Sequence, residues 1–112
     1  MDDKPLVWVG SSLDDLRAFP DDARRRAGYQ LRRVQLGLMP DDWKPMTSVG
    51  PGVREIRIHA DGEFRVLYVA RFEEAIYVLH AFEKKSRRTP KSDIDLADAR
   101  YRGLVNERRM KR

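Results

Sequence analysis

The stretch Val53-Arg54-Glu55-Ile56-Arg57-Ile58-His59, followed by Asp61-Gly62 and then Phe64-Arg65-Val66-Leu67-Tyr68-Val69, decides the fold. Charged and branched residues alternate in the first segment, the period of a strand with two unlike faces, and Asp-Gly supplies the backbone chemistry of a tight turn. The two segments predict a β-hairpin. A second tight connection at Glu73-Glu74 precedes Ala75-Ile76-Tyr77-Val78-Leu79-His80-Ala81-Phe82, a third run of β-formers, which extends the hairpin to a three-stranded antiparallel meander. Ile56 and Ile58 oppose Glu55, Arg57 and His59 across the first of these strands. The second is apolar on both faces, so the pattern leaves open which face Arg65 shares.

Working outward, Leu6-Val7-Trp8-Val9 ends at Gly10 and has the length and composition of a short buried strand. Ser11 or Ser12 can then cap a short helix bearing Leu13, Leu16 and Phe19, with Asp14 and Asp15 in the first turn, where the helix dipole favours negative charge. From about Asp21, the residues Ala23, Ala27, Leu31, Val34 and Leu38 recur at steps of three and four, which predicts a long amphipathic helix ended by Gly37 and Pro40. Asp41 to Gly52, with Pro45, Gly50 and Pro51, has loop composition. Beyond the meander, Thr89 reads as an N-cap and Pro90 as the first position of a helix carrying Ile94, Ala97, Tyr101 and Leu104. The expected order is β-α-α-β-β-β-α, an α+β single domain over residues 1–112, with an antiparallel sheet and helices packed on one face.

The chain has 112 residues, 41% hydrophobic and 37% charged, and no cysteine. That size allows one modest core and excludes a second domain or a Rossmann-type nucleotide fold. Zero cysteine excludes a disulfide framework, a thiolate zinc site and a cysteine nucleophile. No stretch has the length of a membrane span, and Met1-Asp2-Asp3-Lys4 lacks the basic start and apolar run of a signal peptide, so cytoplasmic residence without membrane contact is expected.

The net charge of +5 is unevenly placed. Residues 1–81 hold 12 basic and 13 acidic side chains, whereas residues 82–112 hold 11 basic and 5 acidic. A basic sector of this kind favours a polyanionic partner, nucleic acid above all, through phosphate contacts. The run Arg108-Arg109-Met110-Lys111-Arg112 suggests a basic flexible tail at about 106–112, which a merely solvated terminus explains equally well. Arg57 and His59 share one strand face and Arg65 lies inside an apolar run, so the meander presents cations from strand interiors; ordinary solvated edge charges are the competing explanation for Arg57. His59 and His80 stand on different strands, and no His/Asp/Glu cluster has metal-ligand spacing.

Taken in order, Val53-Arg54-Glu55-Ile56-Arg57-Ile58, Phe64-Arg65-Val66-Leu67-Tyr68 and Val78-Leu79-His80-Ala81-Phe82-Glu83-Lys84-Lys85 ahead of Thr89-Pro90 resemble the RelE/ParE superfamily of toxin-antitoxin toxins. The likeness covers roughly residues 5 to 105 and is greatest to the phage-derived, HigB-like branch. It implies a RelE-like fold and a ribosome-dependent endoribonuclease, an mRNA interferase that inhibits translation and is silenced by a cognate antitoxin, itself expected to be a helix-turn-helix protein. In such enzymes the RNA 2′-hydroxyl attacks the adjacent phosphate, and neither metal nor cofactor is implied. By family position Arg57, Arg65, Lys84 and Lys85, together with His59, would be catalytic, with Arg65 the foremost phosphate clamp. Arg54 would bind RNA, and Arg87, Arg88 and Lys91 would grip ribosomal RNA; Tyr68 could stack on a base, although an aromatic inside a strand is more often core. His80, flanked by Leu79 and Ala81, is read as structural. The C-terminal tyrosine of many RelE-type enzymes has no clear counterpart, since Tyr101 falls on the apolar face of the last helix. The same fold also serves ParE-like gyrase inhibitors without RNase activity, and a basic final helix suits a non-catalytic nucleic-acid-binding module.

Overall fold

The computed structural model describes residues 3–111. Met1, Asp2 and Arg112, to which the N-terminal and tail expectations extend, lie outside the described residues. The elements are β1 (Leu6–Trp8), α1 (Ser12–Arg17), α2 (Asp21–Gln35), β2 (Trp43–Pro45), β3 (Val53–His59), β4 (Glu63–Val69), β5 (Ile76–Glu83) and α3 (Lys91–Met110). The predicted meander is present: β3 pairs antiparallel with β4 from Val53↔Val69 to His59↔Glu63, and β4 pairs antiparallel with β5. Asp61, the non-glycine residue with φ near 50° among the described ones, and Gly62 make the hairpin turn, as the Asp-Gly pair requires.

Four expectations are corrected. First, the sheet is mixed, with five strands in the order β1-β5-β4-β3-β2, because β1 lies parallel to β5, with Leu6 opposite Ile76. Second, Trp43-Lys44-Pro45, inside the segment read as loop, is strand β2, paired antiparallel with β3. Three residues are too few to show a period, and Pro45 sits where an edge strand tolerates it. Third, the helices cover both faces of the sheet. Leu16 and Phe19 of the α1 region and Ala23, Ala27, Leu31 and Val34 of α2 pack on Ile56, Ile58, Val66 and Val78. Ala97, Tyr101 and Leu104 of α3 pack on Val53, Leu67, Val69 and Leu79 across the sheet. A central strand apolar on both sides, as β4 is, needs a layer on each. Fourth, the segment expected to form a flexible tail is helical to Met110.

Helix boundaries differ in instructive ways. Helix α2 stops at Gln35, short of Leu38, which is half exposed past the left-handed Gly37. Helix α3 begins after Pro90, whose carbonyl accepts from the Asp93 and Ile94 amides, and the Thr89 hydroxyl caps nothing there. It donates instead to Glu55 Oε2 at 3.3 Å, and that contact shapes the site.

A register shift between Leu67 and Tyr68 gives β5 one extra residue, Leu79, against β4. Two residues then face one, as at a β-bulge, which lets Leu79 join the α3-side core while His80 lies opposite Leu67.

Candidate functional site

The β3–β4 register settles the parity that the sequence leaves open. Arg57 stands directly opposite Arg65, so the two share the α3-side face, two residues along from Glu55. Strand β2 adds Lys44 opposite Glu55. The Glu55 carboxylate is almost wholly buried, 1% exposed. Three cations approach its Oε1: Lys44 Nζ at 3.7 Å, Arg57 Nε at 3.8 Å and Arg65 Nε at 3.8 Å. A carboxylate withdrawn from water is costly unless paired, and here one oxygen faces three cations while the other accepts from Thr89. Glu55 therefore gathers strands β2, β3 and β4 and the segment leading into α3 at a single point.

The cations of this cluster are not equivalent. Arg65 is 5% exposed and each guanidinium nitrogen has an internal direction: Nη1 donates to the Phe64 carbonyl at 3.0 Å, Nη2 to Glu63 Oε1 at 3.1 Å, and Nε faces Glu55. Its Nε, 3.8 Å from Glu55, makes no hydrogen bond, and the side chain as a whole is only 6% exposed, so it supports the site from beneath. The expected foremost phosphate clamp is thus a strut. The side chains of Arg57 and Lys44 remain 36% and 41% exposed, so these two carry the positive charge that a ligand can reach.

His59 lies between two carboxylates, with Nε2 2.7 Å from Asp42 Oδ2 and Nδ1 2.7 Å from Glu63 Oε2. Both contacts raise its pKa above the usual 6.5, the bond to Asp42 most of all, and the histidine in turn lowers the Glu63 carboxyl. An imidazole with both nitrogens held by carboxylates clasps the β2 approach to the β3–β4 hairpin, and neither nitrogen is free to meet a substrate proton. Glu63 also receives Arg65, so a continuous chain of charge runs from Asp42 through His59, Glu63 and Arg65 to Glu55.

The remaining candidates divide by face and element. Lys84 Nζ donates to the Arg87 carbonyl at 2.7 Å and folds the basic turn onto itself, while Lys85, 80% exposed in its side chain, has only Glu83 at 4.0 Å. Arg87, Arg88 and Lys91 are exposed. From Lys84 to Lys91 the chain carries five cations and no acid, and the Thr89–Glu55 bond fastens this segment to the cluster. Arg54 and Tyr68 stand opposite each other on the α2-side face, away from Glu55. The Arg54 guanidinium lies 5.1 Å from the centre of the Trp43 ring. Tyr68 is fully buried; burial raises its hydroxyl pKa against the opposing pull of the Arg54 guanidinium, no hydrogen bond of ordinary geometry reaches its Oη, and it does not offer a ring for base stacking. His80, 6% exposed, sets Nε2 2.7 Å from Asp93 Oδ1 and stacks on Phe82 at 4.8 Å, as a structural histidine would.

Sequence reasoning therefore missed Glu55, Lys44 and Thr89 as members of the cluster. The available signal was an acid on the polar face of the strand, next to Arg57 on that face, where opposite charges two residues apart can pair.

With this geometry in hand, comparison with known families is specific: residues 14–102 match the family of phage-derived Gp49-like proteins (DUF891), and the chain belongs to that family. The family is tied to the RelE-type toxins of toxin-antitoxin systems. No curated protein matches the chain.

Proposed function

We propose that the protein is the toxin of a type II toxin-antitoxin system and cleaves mRNA on the ribosome in the cytoplasm, held silent by a cognate antitoxin. One observation carries this reading: the buried Glu55 carboxylate gathers Arg57, Arg65 and Lys44 and, through Thr89, the acid-free Lys84–Lys91 segment. In the reaction the RNA 2′-oxygen attacks the adjoining phosphorus, its proton passes to a base, the P–O5′ bond breaks and the 5′-oxygen is protonated. Negative charge accumulates on the phosphoryl oxygens in the transition state. Arg57 is partly exposed, with its buried Nε 3.8 Å from Glu55 and making no hydrogen bond, so its terminal nitrogens are placed to meet that charge, and a planar guanidinium suits phosphate oxygens. Lys44 adds a second reachable cation, Arg65 and Glu55 hold the first in place, and Arg87, Arg88 and Lys91 fit ribosomal RNA.

The test is cleavage of mRNA by translating ribosomes supplied with the unmutated chain or with Arg57→Ala, whose side chain is accessible enough to remove without emptying the core. The expected loss is about a hundredfold, the size found when one fixed donor to a developing oxyanion is removed. Equal cleavage by the variant would overturn the assignment of Arg57. No cleavage by the unmutated chain, with inhibition of gyrase supercoiling instead, would favour the ParE-like activity.

A further inference from the structure

Past Arg57, whose amide donates to the Asp42 carbonyl at 2.9 Å, β3 becomes an edge at Ile58–His59, and there helix α2 and the Asp41-Asp42 turn enclose a cleft of about 440 Å³. Its α2 wall presents Arg25, Arg26 and Tyr29, and its β3 wall presents Arg57 and His59. The volume falls in the range of about 300–1,000 Å³ that holds small organic ligands. The cleft is preformed, because Gln30 Nε2 donates to Asp41 Oδ2 at 2.8 Å and the Asp41 amide donates back to Gln30 Oε1 at 2.9 Å. Tyr29 is 59% exposed, an aromatic ring turned to solvent among guanidinium groups. Arg25 and Arg26 share one carboxylate, Asp22, at 3.9 and 3.1 Å, and such exposed pairs are weak enough to yield to a phosphate. Arg57 belongs to both places: its Nε lies 3.8 Å from Glu55, and the residue is part of the cleft lining.

We propose that this cleft holds a nucleotide flanking the scissile phosphodiester of single-stranded RNA, with Tyr29 stacked on its base and Arg25 and Arg26 on the adjoining phosphates. The combination of a cationic track and a ring available for stacking is the chemistry by which single strands are held without a fixed sequence. The Asp41 and Asp42 carboxylates, which also line the cleft, repel a phosphate at its floor, which directs phosphates toward the α2 rim and leaves the floor to hydroxyl or amino donors of the nucleotide. The inference rests on the RNA-cleaving reading but assigns contacts that the cleavage chemistry does not use.

The experiment is fluorescence anisotropy of a labelled single-stranded RNA of about ten nucleotides, a length within the usual span of single-strand sites, titrated with the full chain at several salt concentrations. Tyr29→Ala is expected to weaken binding about tenfold and Tyr29→Phe to restore it, as stacking demands. Arg25→Ala with Arg26→Ala is expected to make the slope of log affinity against log salt shallower by about 1.4, or about 0.7 for each single-strand phosphate that is no longer neutralised. All three residues are exposed, so the variants keep the fold. Unchanged affinity and slope, or no RNA binding by the unmutated chain, would overturn the proposal. So would a polyglutamate peptide that binds in a Tyr29- and Arg25-dependent manner while RNA does not, a result that assigns the cleft to an acidic protein segment. RNA binding that responds as expected, in a chain that cleaves nothing on ribosomes, would retain the cleft and retire the nuclease reading.

Discussion

Replacing Glu55 by Gln keeps the shape of the side chain and an acceptor for Thr89 while removing the one charge that three cations face. Breaking a buried ion pair from one side costs about 3–5 kcal/mol, because the partner is left desolvated and uncompensated. Here the cost is smaller. Lys44 and Arg57 are 41% and 36% exposed and can turn to water, and the buried Arg65 retains Glu63 and the Phe64 carbonyl. About 2–3 kcal/mol of destabilisation is expected, which for a chain of this length lowers Tm by about 9–13 °C, given an unfolding entropy of about 2 cal/mol/K per residue. Thermal and urea denaturation followed by circular dichroism measures it, at low and high salt, since a buried pair is screened far less than a surface one. Combining Glu55→Gln with Arg57→Gln in a double-mutant cycle isolates their coupling. A loss below about 0.5 kcal/mol, typical of a surface substitution, would refute the view that this carboxylate organises the site.

Two further outcomes follow from single groups. The folded His59 pKa is raised above 6.5, so its contribution to stability is complete below 6.5 and fades as pH rises through the raised value; the Glu63 side of the clasp fades at the other end, as pH falls through that group's lowered value. The Tm difference between the unmutated chain and His59→Gln should narrow at both limits, and a difference independent of pH would contradict the clasp. Tyr68→Phe removes a buried hydroxyl with no partner and should leave stability unchanged or raise it by up to about 1 kcal/mol in urea denaturation, with RNA affinity unaltered; a loss above about 1 kcal/mol would show that the hydroxyl is bonded.

The elements that announce themselves by period were legible. Ala23, Ala27, Leu31 and Val34 are buried as the helical spacing requires, and Ala97, Tyr101 and Leu104 likewise. The meander follows from alternation at Val53–His59 and the Asp61-Gly62 turn. What escaped is tertiary by nature. Strand β2 exists only because β3 offers it an edge, and the parallel seat of β1 is fixed by β5, far along the chain. The site shows the same division. Arg57 and Arg65 could be named from the strands that carry them, but their convergence on Glu55 depends on register, and the Thr89 bond depends on a loop returning from β5. Arg65 reads as a phosphate clamp until its donors are traced inward, because an arginine in an apolar run looks like cationic equipment; Tyr68 takes the core place that an aromatic inside a strand more often has, not the stacking role.

The seat of β1 also governs the order in which the molecule can be assembled. Leu6 pairs with Ile76, so the strand made first has no neighbour until β5 has left the ribosome, whereas β3 and β4 meet across a tight turn. Docking of β1 then closes one side of the sheet and, through the Val9 amide bound to the Val78 carbonyl, brings α1 to its place. A chain arrested before β5 emerges would lack the last strand and the basic segment beyond it, so the Thr89 bond to Glu55 can form only once the chain has passed β5.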